Sequence, residues 1–422
     1  MFQTRTQRLA SPAVRCSLIT PMASQIIIIG AGPAGVSTAL HLAAISPELT
    51  SGLLVLEKAH HPRRKLCAGG LVSSAELILR RLGLDVREVP HVDAHAAHLD
   101  FRGKGLSLRA GPDHHMLRIV RRDEFDAWLV SVARQRGVQI QEGVRVLAID
   151  PGPDAVRIET DAGTYSAQVV VGADGSNGIS RRAAFPGHRM HAARALEIIT
   201  PRSDGSPHQP DAAHFDFLPV ADGIGGYLWD FPTQVGGQPK RCWGIYDANL
   251  PTHGRRAPLA DPLKLEMQRH GLDLSDYEME GHPIRWFSPR IPLSRPRMLL
   301  VGDAAGADGI FGEGISVALG HGLVAAHAIS EAFESRDFSF RSYRRRLLGS
   351  SLGRALTARW LITHTLYRMR WPWSQKLVWR RLRRFVTWAG QRYVLNWAER
   401  EKPTAPRRQV MDQPMPAPPR PD

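Results

Sequence analysis

The run Gly30-Ala31-Gly32-Pro33-Ala34-Gly35, followed 22 positions after Gly35 by Glu57 and then Lys58, has the residue types and spacing of an anion cradle beside a sugar contact. Glycines so placed allow a tight turn and bring backbone N–H groups at a helix N-terminus up to a pyrophosphate, while a carboxylate at Glu57 accepts from ribose hydroxyls. Two further glycine–acid segments each follow an apolar run: Gly172-Ala173-Asp174-Gly175 and Gly302-Asp303-Ala304-Ala305-Gly306. Between them and the first turn lies Lys65-Leu66-Cys67-Ala68-Gly69-Gly70-Leu71. Cys67 has no CxxC partner and no histidine cluster beside it, which leaves two readings: a small packed residue, or a thiol that donates or relays a proton. Gly69 and Gly70 would let this loop approach a bound group closely. Tyr227, Trp229 and Phe231, ahead of Pro232, alternate and so share one face of a strand, lining either an apolar tunnel or an ordinary sheet core.

Positioning these residues requires a frame. The apolar run 25–29, a helical stretch to 44 and an apolar run at 53–57 make a β-α-β unit with a buried parallel sheet. Ser73 and Ser74 predict the start of a helix running to 82, and Asp123 that of an amphipathic helix carrying Phe125, Trp128, Leu129 and Val132. Short strands are expected through 138–171, and a separate β-rich layer over 186–290. The buried-strand pattern returns at 298–301 and leads through a glycine-rich turn into a long helix expected over 312–333. The expected organisation is a leader, 1–23; a nucleotide-binding domain, 24–185 and 291–335, with strands near 90–118 joining the β-rich layer; that layer, 186–290; a basic, Trp-rich helical region, 336–400; and a proline-rich disordered tail, 401–422.

With 422 residues, 43% of them hydrophobic, the chain can bury large cores, and a net charge of +15 calls for an anionic partner or surface. Much of that charge lies in the C-terminal region, where Arg344, Arg359, Arg380, Arg381, Arg383 and Arg384 are interleaved with Trp360, Trp371, Trp373, Trp379, Trp388 and Trp397. This composition suits the headgroup layer of an anionic membrane, with packing of the indoles onto the rest of the molecule as the competing reading. No nucleic-acid module accompanies it, and nucleic acid is not an expected partner. No uncharged apolar run reaches the roughly 18 residues of a spanning helix. Cys16, Cys67 and Cys242 are too far apart for a disulfide framework, a metal set or an iron–sulfur cluster, so a reducing compartment and no metal are expected. Residues 1–23 are Arg-, Ser- and Thr-containing without acids, as in a transit peptide, but the preferred reading is an extension upstream of Met22.

Taken together, these segments resemble the FAD-dependent oxidoreductases of the glutathione-reductase-like fold, an α/β architecture with an inserted β-sheet-rich substrate domain. The resemblance implies that Asp303 holds the ribityl chain of FAD, that Arg122 of Arg-Asp-Glu-Phe-Asp faces the cofactor, and that the helix opening at Gly312-Glu313-Gly314-Ile315 turns its positive end to the flavin. Lys65–Gly70, Tyr227-Leu228-Trp229-Asp230-Phe231-Pro232 and Gly312–Ile315 are similar to segments of the geranylgeranyl reductase branch; the resemblance covers 24–335. Three departures stand out: Gly178 and Ser180 replace a serine and a valine, Gly309 replaces a proline, and of a Gly-x-Gly after Phe-Pro only Gly244 remains. The implied activity is reduction of C=C bonds in a polyprenyl group on a lipid, quinone or pigment precursor. NADPH or reduced ferredoxin would supply electrons, and Cys67 with Gly69 and Gly70 would face the reacting bond. The alternatives are an FAD-dependent monooxygenase acting on an apolar substrate and a non-catalytic flavin-bearing membrane adaptor. A cytoplasmic location, peripheral on the inner face of a membrane, is expected.

Overall fold

The computed structural model describes residues 22–101, 104–202, 208–250, 258–369 and 371–401; most of the expected leader and tail lies outside them. The first strand is Met22–Ile29, longer than its apolar core because its first residues pair with Tyr165–Ala167. It runs parallel to Leu53–Leu56 on one side and to Gly163–Gly172 on the other. Gln139–Gln141 and Met298–Leu300 extend this parallel set outward. Ser294–Arg295, Val146–Pro151 and Val156–Thr160 complete an eight-stranded sheet with antiparallel additions.

Helices Pro33–Ile45, Arg122–Gln135 and Ile315–Ser335 cover this sheet. The last begins at Ile315, three residues later than the sequence suggests, because Gly312 is left-handed (φ 66°) and keeps the chain in a loop. It packs tightly on Pro33–Ile45: a Cβ at Gly322 would lie 2.5 Å from Ser37 Oγ, and that hydroxyl donates to Leu319 O at 2.8 Å. By length and composition alone this helix could cross a membrane, but 83% of its apolar window is buried, the mark of a core helix.

A second sheet has seven strands, in the order Glu280–Arg285, Ala192–Pro201, Gln238–Asp247, Gly226–Val235, Ala212–Asp216, Ala96–Phe101, Lys104–Arg109. A three-stranded sheet of Gly70–Leu71, Leu117–Val120 and His91–Ala94 bridges the layers. The C-terminal helices Tyr343–Gly349, Ser351–Leu366, Pro372–Lys376 and Arg383–Gly390 fold back over both. Ser350 separates the first two of these helices and caps the second by accepting from the Gly353 N–H at 3.1 Å.

Candidate functional site

The turn at residues 30–35 lies at the C-terminal ends of the parallel strands. Only backbone fits here: a Cβ on Gly30 (φ 108°) would meet Ala173 O at 2.5 Å, and one on Gly35 would meet Gly30 O at 1.9 Å. Gly35 thus locks the helix against the turn, while Gly32, Pro33 and Ala34 face an open cavity. Glu57 is buried; one carboxylate oxygen accepts from the Ala31 N–H at 2.8 Å and the other from the Ala59 N–H at 3.0 Å. Lys58 stands exposed at the rim. Arg63, which carried no motif, reaches across this turn, 3.2 Å from Asp126 and 3.9 Å from Glu57. Arg122 grips the same Asp126 with two bonds of 2.8 and 2.9 Å, so its guanidinium is oriented by a buried carboxylate at i+4.

The second acid, Asp174, explains two departures at once. It accepts from the Ser180 N–H (2.8 Å) and Oγ (2.9 Å), and a Cβ at position 178 would lie 2.0 Å from its carboxyl carbon. Gly178 and Ser180 are therefore a coupled exchange: the hydroxyl has moved two residues along, and the place it left must be glycine. The third acid, Asp303, lies beside Gly314, where a Cβ would be 3.4 Å from its oxygen, and accepts from Ser176 Oγ at 3.4 Å. Gly302 holds the turn before it with φ 57°.

One cavity of about 1170 Å³ joins all three acids. A sequence family described as FAD binding domain matches residues 23–331. The chain belongs to that FAD-binding family. It is 26% identical over 330 residues to the menaquinone reductase of Mycolicibacterium smegmatis, covering 73% of this chain and 76% of that one. To the digeranylgeranylglycerophospholipid reductase of Thermoplasma volcanium it is 28% identical over 230 residues, 52% of this chain and 57% of the relative. A solved geranylgeranyl bacteriochlorophyll reductase-like protein of Thermoplasma acidophilum superposes with a TM-score of 0.73 at 20% identity, covering 90% of this chain and 98% of that one. The halogenase PltM superposes at 0.66 with 17% identity, covering 85% and 79%, so the fold itself serves more than one reaction. The residues fit FAD: a glycine turn closed to any side chain, a carboxylate at the second strand, and, in a residue that lines the cavity, a buried Asp174 oxygen without a partner among the described residues.

Around the same cavity, three buried tyrosines hold successive carbonyls of the loop before Gly312. Tyr246 donates to Gly309 O (2.9 Å), Tyr367 to Ile310 O, and Tyr227 to Phe311 O (2.6 Å). Gly309 stands where the family has proline because the Trp286 ring lies 2.5 Å from its Cβ position. Glu313 then caps the long helix, accepting from the Ser316 N–H at 2.7 Å, and pairs with Arg359 at 3.2 Å. Arg359 is 1% exposed, lies 3.7 Å from Asp308, and donates to Tyr393 O and Val394 O at 2.6 and 2.9 Å. The C-terminal region is thereby bonded directly to the loop that carries Asp308 and Glu313.

Opposite this loop, sheet register arranges side chains in rows. Tyr227 pairs with Tyr246, Trp229 with Gly244 and Phe231 with Cys242, and all three predicted aromatics line the cavity. Gly244 is required because a Cβ there would sit 2.1 Å from the Trp229 ring. Pro232 is a correction: strand residues alternate, so it lies on the other face, in a shallow depression with Pro239 and Gln234. Cys67 lines the cavity, takes the Gly69 N–H on its sulfur at 3.4 Å, and has its thiol pushed up by burial, with Arg122 opposing.

Glu197, which no motif signalled, completes the Trp229–Gly244 row. It is 6% exposed; burial pushes its carboxyl up to about 7, with the Cys67 N–H and the Arg121 charge opposing. Lys65 and His282 meet at 2.9 Å on the same wall, and burial, reinforced by Lys65, pulls the imidazole down to about 4. The far end of the cavity is walled by Leu366, Val378, Trp379, Val386 and Leu395 from the C-terminal helices.

Proposed function

We propose that this protein is a reductase of C=C bonds in a polyprenyl, geranylgeranyl-type group carried on a lipid, quinone or pigment precursor. The observation that carries the reading is one continuous cavity of about 1170 Å³: one end is the glycine turn with Asp303, and the other is an apolar chamber of aromatic and aliphatic side chains of the kind a prenyl chain requires. The names of the menaquinone and digeranylgeranylglycerophospholipid relatives point the same way. Glu57, Arg63, Arg122, Asp174, Asp303 and the Gly312–Ile315 loop would hold the FAD, which when bound supplies the hydride. Tyr227, Trp229 and Phe231 orient the chain and exclude water, and Cys67 with Gly69 and Gly70 forms the wall beside the reacting bond.

Glu197 delivers the proton. Of the other cavity carboxylates, Glu57 is spent on backbone N–H groups and Glu313 on a helix cap and Arg359, while Asp174, fixed by Ser180 through one oxygen, and Asp303 stand at the cofactor end, away from the aromatic row. Glu197 alone sits in the aromatic row with a pKa near neutrality, as a general acid needs.

The test is anaerobic. Enzyme reduced by dithionite is offered geranylgeranyl lipids and prenyl quinones; flavin reoxidation with a product heavier by two hydrogens supports the reading. No reoxidation until air is admitted, followed by an oxygenated product, replaces it with a monooxygenase. The donor, NADPH or reduced ferredoxin, is the one that reduces the bound flavin. Asp303→Ala is expected to lose bound FAD, read as the flavin-to-protein absorbance ratio after gel filtration; full occupancy would remove Asp303 from the cofactor site.

A membrane surface is the natural source of such a substrate. Trp379 and Trp397 are buried in the protein, whereas Trp371, Trp373, Phe385 and Trp388 are 50 to 63% exposed beside Arg380, Arg381, Arg383 and Arg384. Leu361, Leu382 and Phe385 are both exposed and cavity-lining, so the mouth opens on that patch. Vesicles with anionic lipid should co-sediment the protein and neutral ones should not. Trp373→Ala with Phe385→Ala should abolish the difference, and equal sedimentation with both vesicle types would refute an anionic docking face.

A further inference from the structure

The face of the seven-stranded sheet turned away from the cavity carries a cluster that the proposed reaction does not use. His98, His214 and Asp230 form a cross-strand row on it, and the helix Ala260–Arg269 packs over it. His208 stacks on His214 with ring centroids 3.7 Å apart, and His270, at the helix C-terminus, lies 4.2 Å from the His208 ring.

We propose that His208, Glu266 and His270 bind a divalent transition-metal ion of the zinc class, in a structural site behind the substrate strand. One ligand-type atom from each lies within 4.8 Å of the other two. Glu266 Oε1 and His270 Nε2, one helical turn apart, are 3.4 Å from each other. Two ligands on a tetrahedral zinc, with bonds of about 2.0–2.1 Å, are separated by about 3.4 Å. Small rotations of His208 would complete three ligands, with water or His214 as the fourth.

A second feature is specific to metal-binding imidazoles. His208 Nδ1 is 2.8 Å from Asp230 Oδ2, and the other oxygen of this buried carboxylate takes Arg241 Nε at 2.7 Å. A carboxylate only accepts, so Nδ1 carries the proton of this bond and His208 would reach a metal through Nε2, the arrangement in which a histidine is oriented and made more basic for a metal. A bound dication would pin the helix Ala260–Arg269 and the chain at His208 to the back of the strand bearing Trp229 and Phe231.

The experiment uses tag-free, full-length protein stripped with chelator and titrated with Zn²⁺ in competition with a chromophoric chelator. One equivalent is expected, together with a rise in Tm. His270→Ala and Glu266→Gln should each weaken binding at least 10-fold, and Asp230→Asn about 10- to 100-fold. Co²⁺ substitution of the wild-type protein guards against a variant that fails to fold: visible d–d bands without a thiolate charge-transfer band are expected. Absence of stoichiometric binding, a thiolate band, or equal affinity in folded His270→Ala and Glu266→Gln would each overturn the site. None of these outcomes depends on which reaction the cavity performs.

Discussion

Glu197→Gln should lower the rate of prenyl double-bond reduction by about 10²–10⁴-fold, the usual contribution of a positioned general acid, while FAD remains bound and is reduced by dithionite as before. Glutamine keeps the shape and can still accept from the Cys67 N–H, but it has no proton to give. In the native protein the acid form of a group whose carboxyl titrates at about 7 is required. The rate should therefore be highest below that pH and fall as pH rises through it. The variant should show a low rate with that dependence gone. Cys67→Ala is the discriminating partner: its thiol is pushed up by burial, so it releases a proton less readily than Glu197 near neutrality. A Glu197→Gln enzyme retaining native activity, with Cys67→Ala inactive, would transfer the role to the thiol.

Arg359→Ala is expected to cost about 3–5 kcal/mol of stability and most of the bound FAD. Removing one partner of a fully buried ion pair leaves the other uncompensated, and here two carboxylates, Asp308 and Glu313, lose their cation together. The carbonyls of Tyr393 and Val394 lose their donors in the same step. Because Glu313 caps the helix at the cofactor loop and the 393–395 segment walls the apolar chamber, loop and chamber should loosen together. Denaturant unfolding and flavin content measure the two effects; a variant within about 1 kcal/mol of wild type with full FAD would show that the C-terminal region only rests against the site.

What could be read from residue order were features whose physics is local. A glycine turn between an apolar strand and a helix has steric requirements confined to about six residues, and Gly30, Gly32, Gly35, Glu57, Asp174, Asp303 and Gly312–Ile315 all face or shape one cavity. Alternation along a strand is equally local, so Tyr227, Trp229 and Phe231 were legible, and the same rule could have placed Pro232 on the opposite face. The Trp- and Arg-rich region supported two readings because composition cannot tell which side of a helix turns inward. In the structure the indoles divide: Trp379 and Trp397 pack within, and Trp371, Trp373 and Trp388 are exposed.

The departures at Gly178, Gly244 and Gly309 looked like weakened motifs, and became intelligible only beside Asp174, Trp229 and Trp286, which the fold sets against them. Glu197, Arg63 and Arg359 had no sequence signature at all. Each acts on residues made its neighbours by strand register or by helices folding back across the molecule, as with Glu197 and Trp229, joined through Gly244 across three strands. Residue order by itself determined the glycine turn at the cavity, because steric exclusion by neighbours along the chain is encoded where it acts. Tertiary structure alone decided which acid faces the apolar chamber and what closes it, because burial and charge pairing depend on distances in space that linear spacing does not contain.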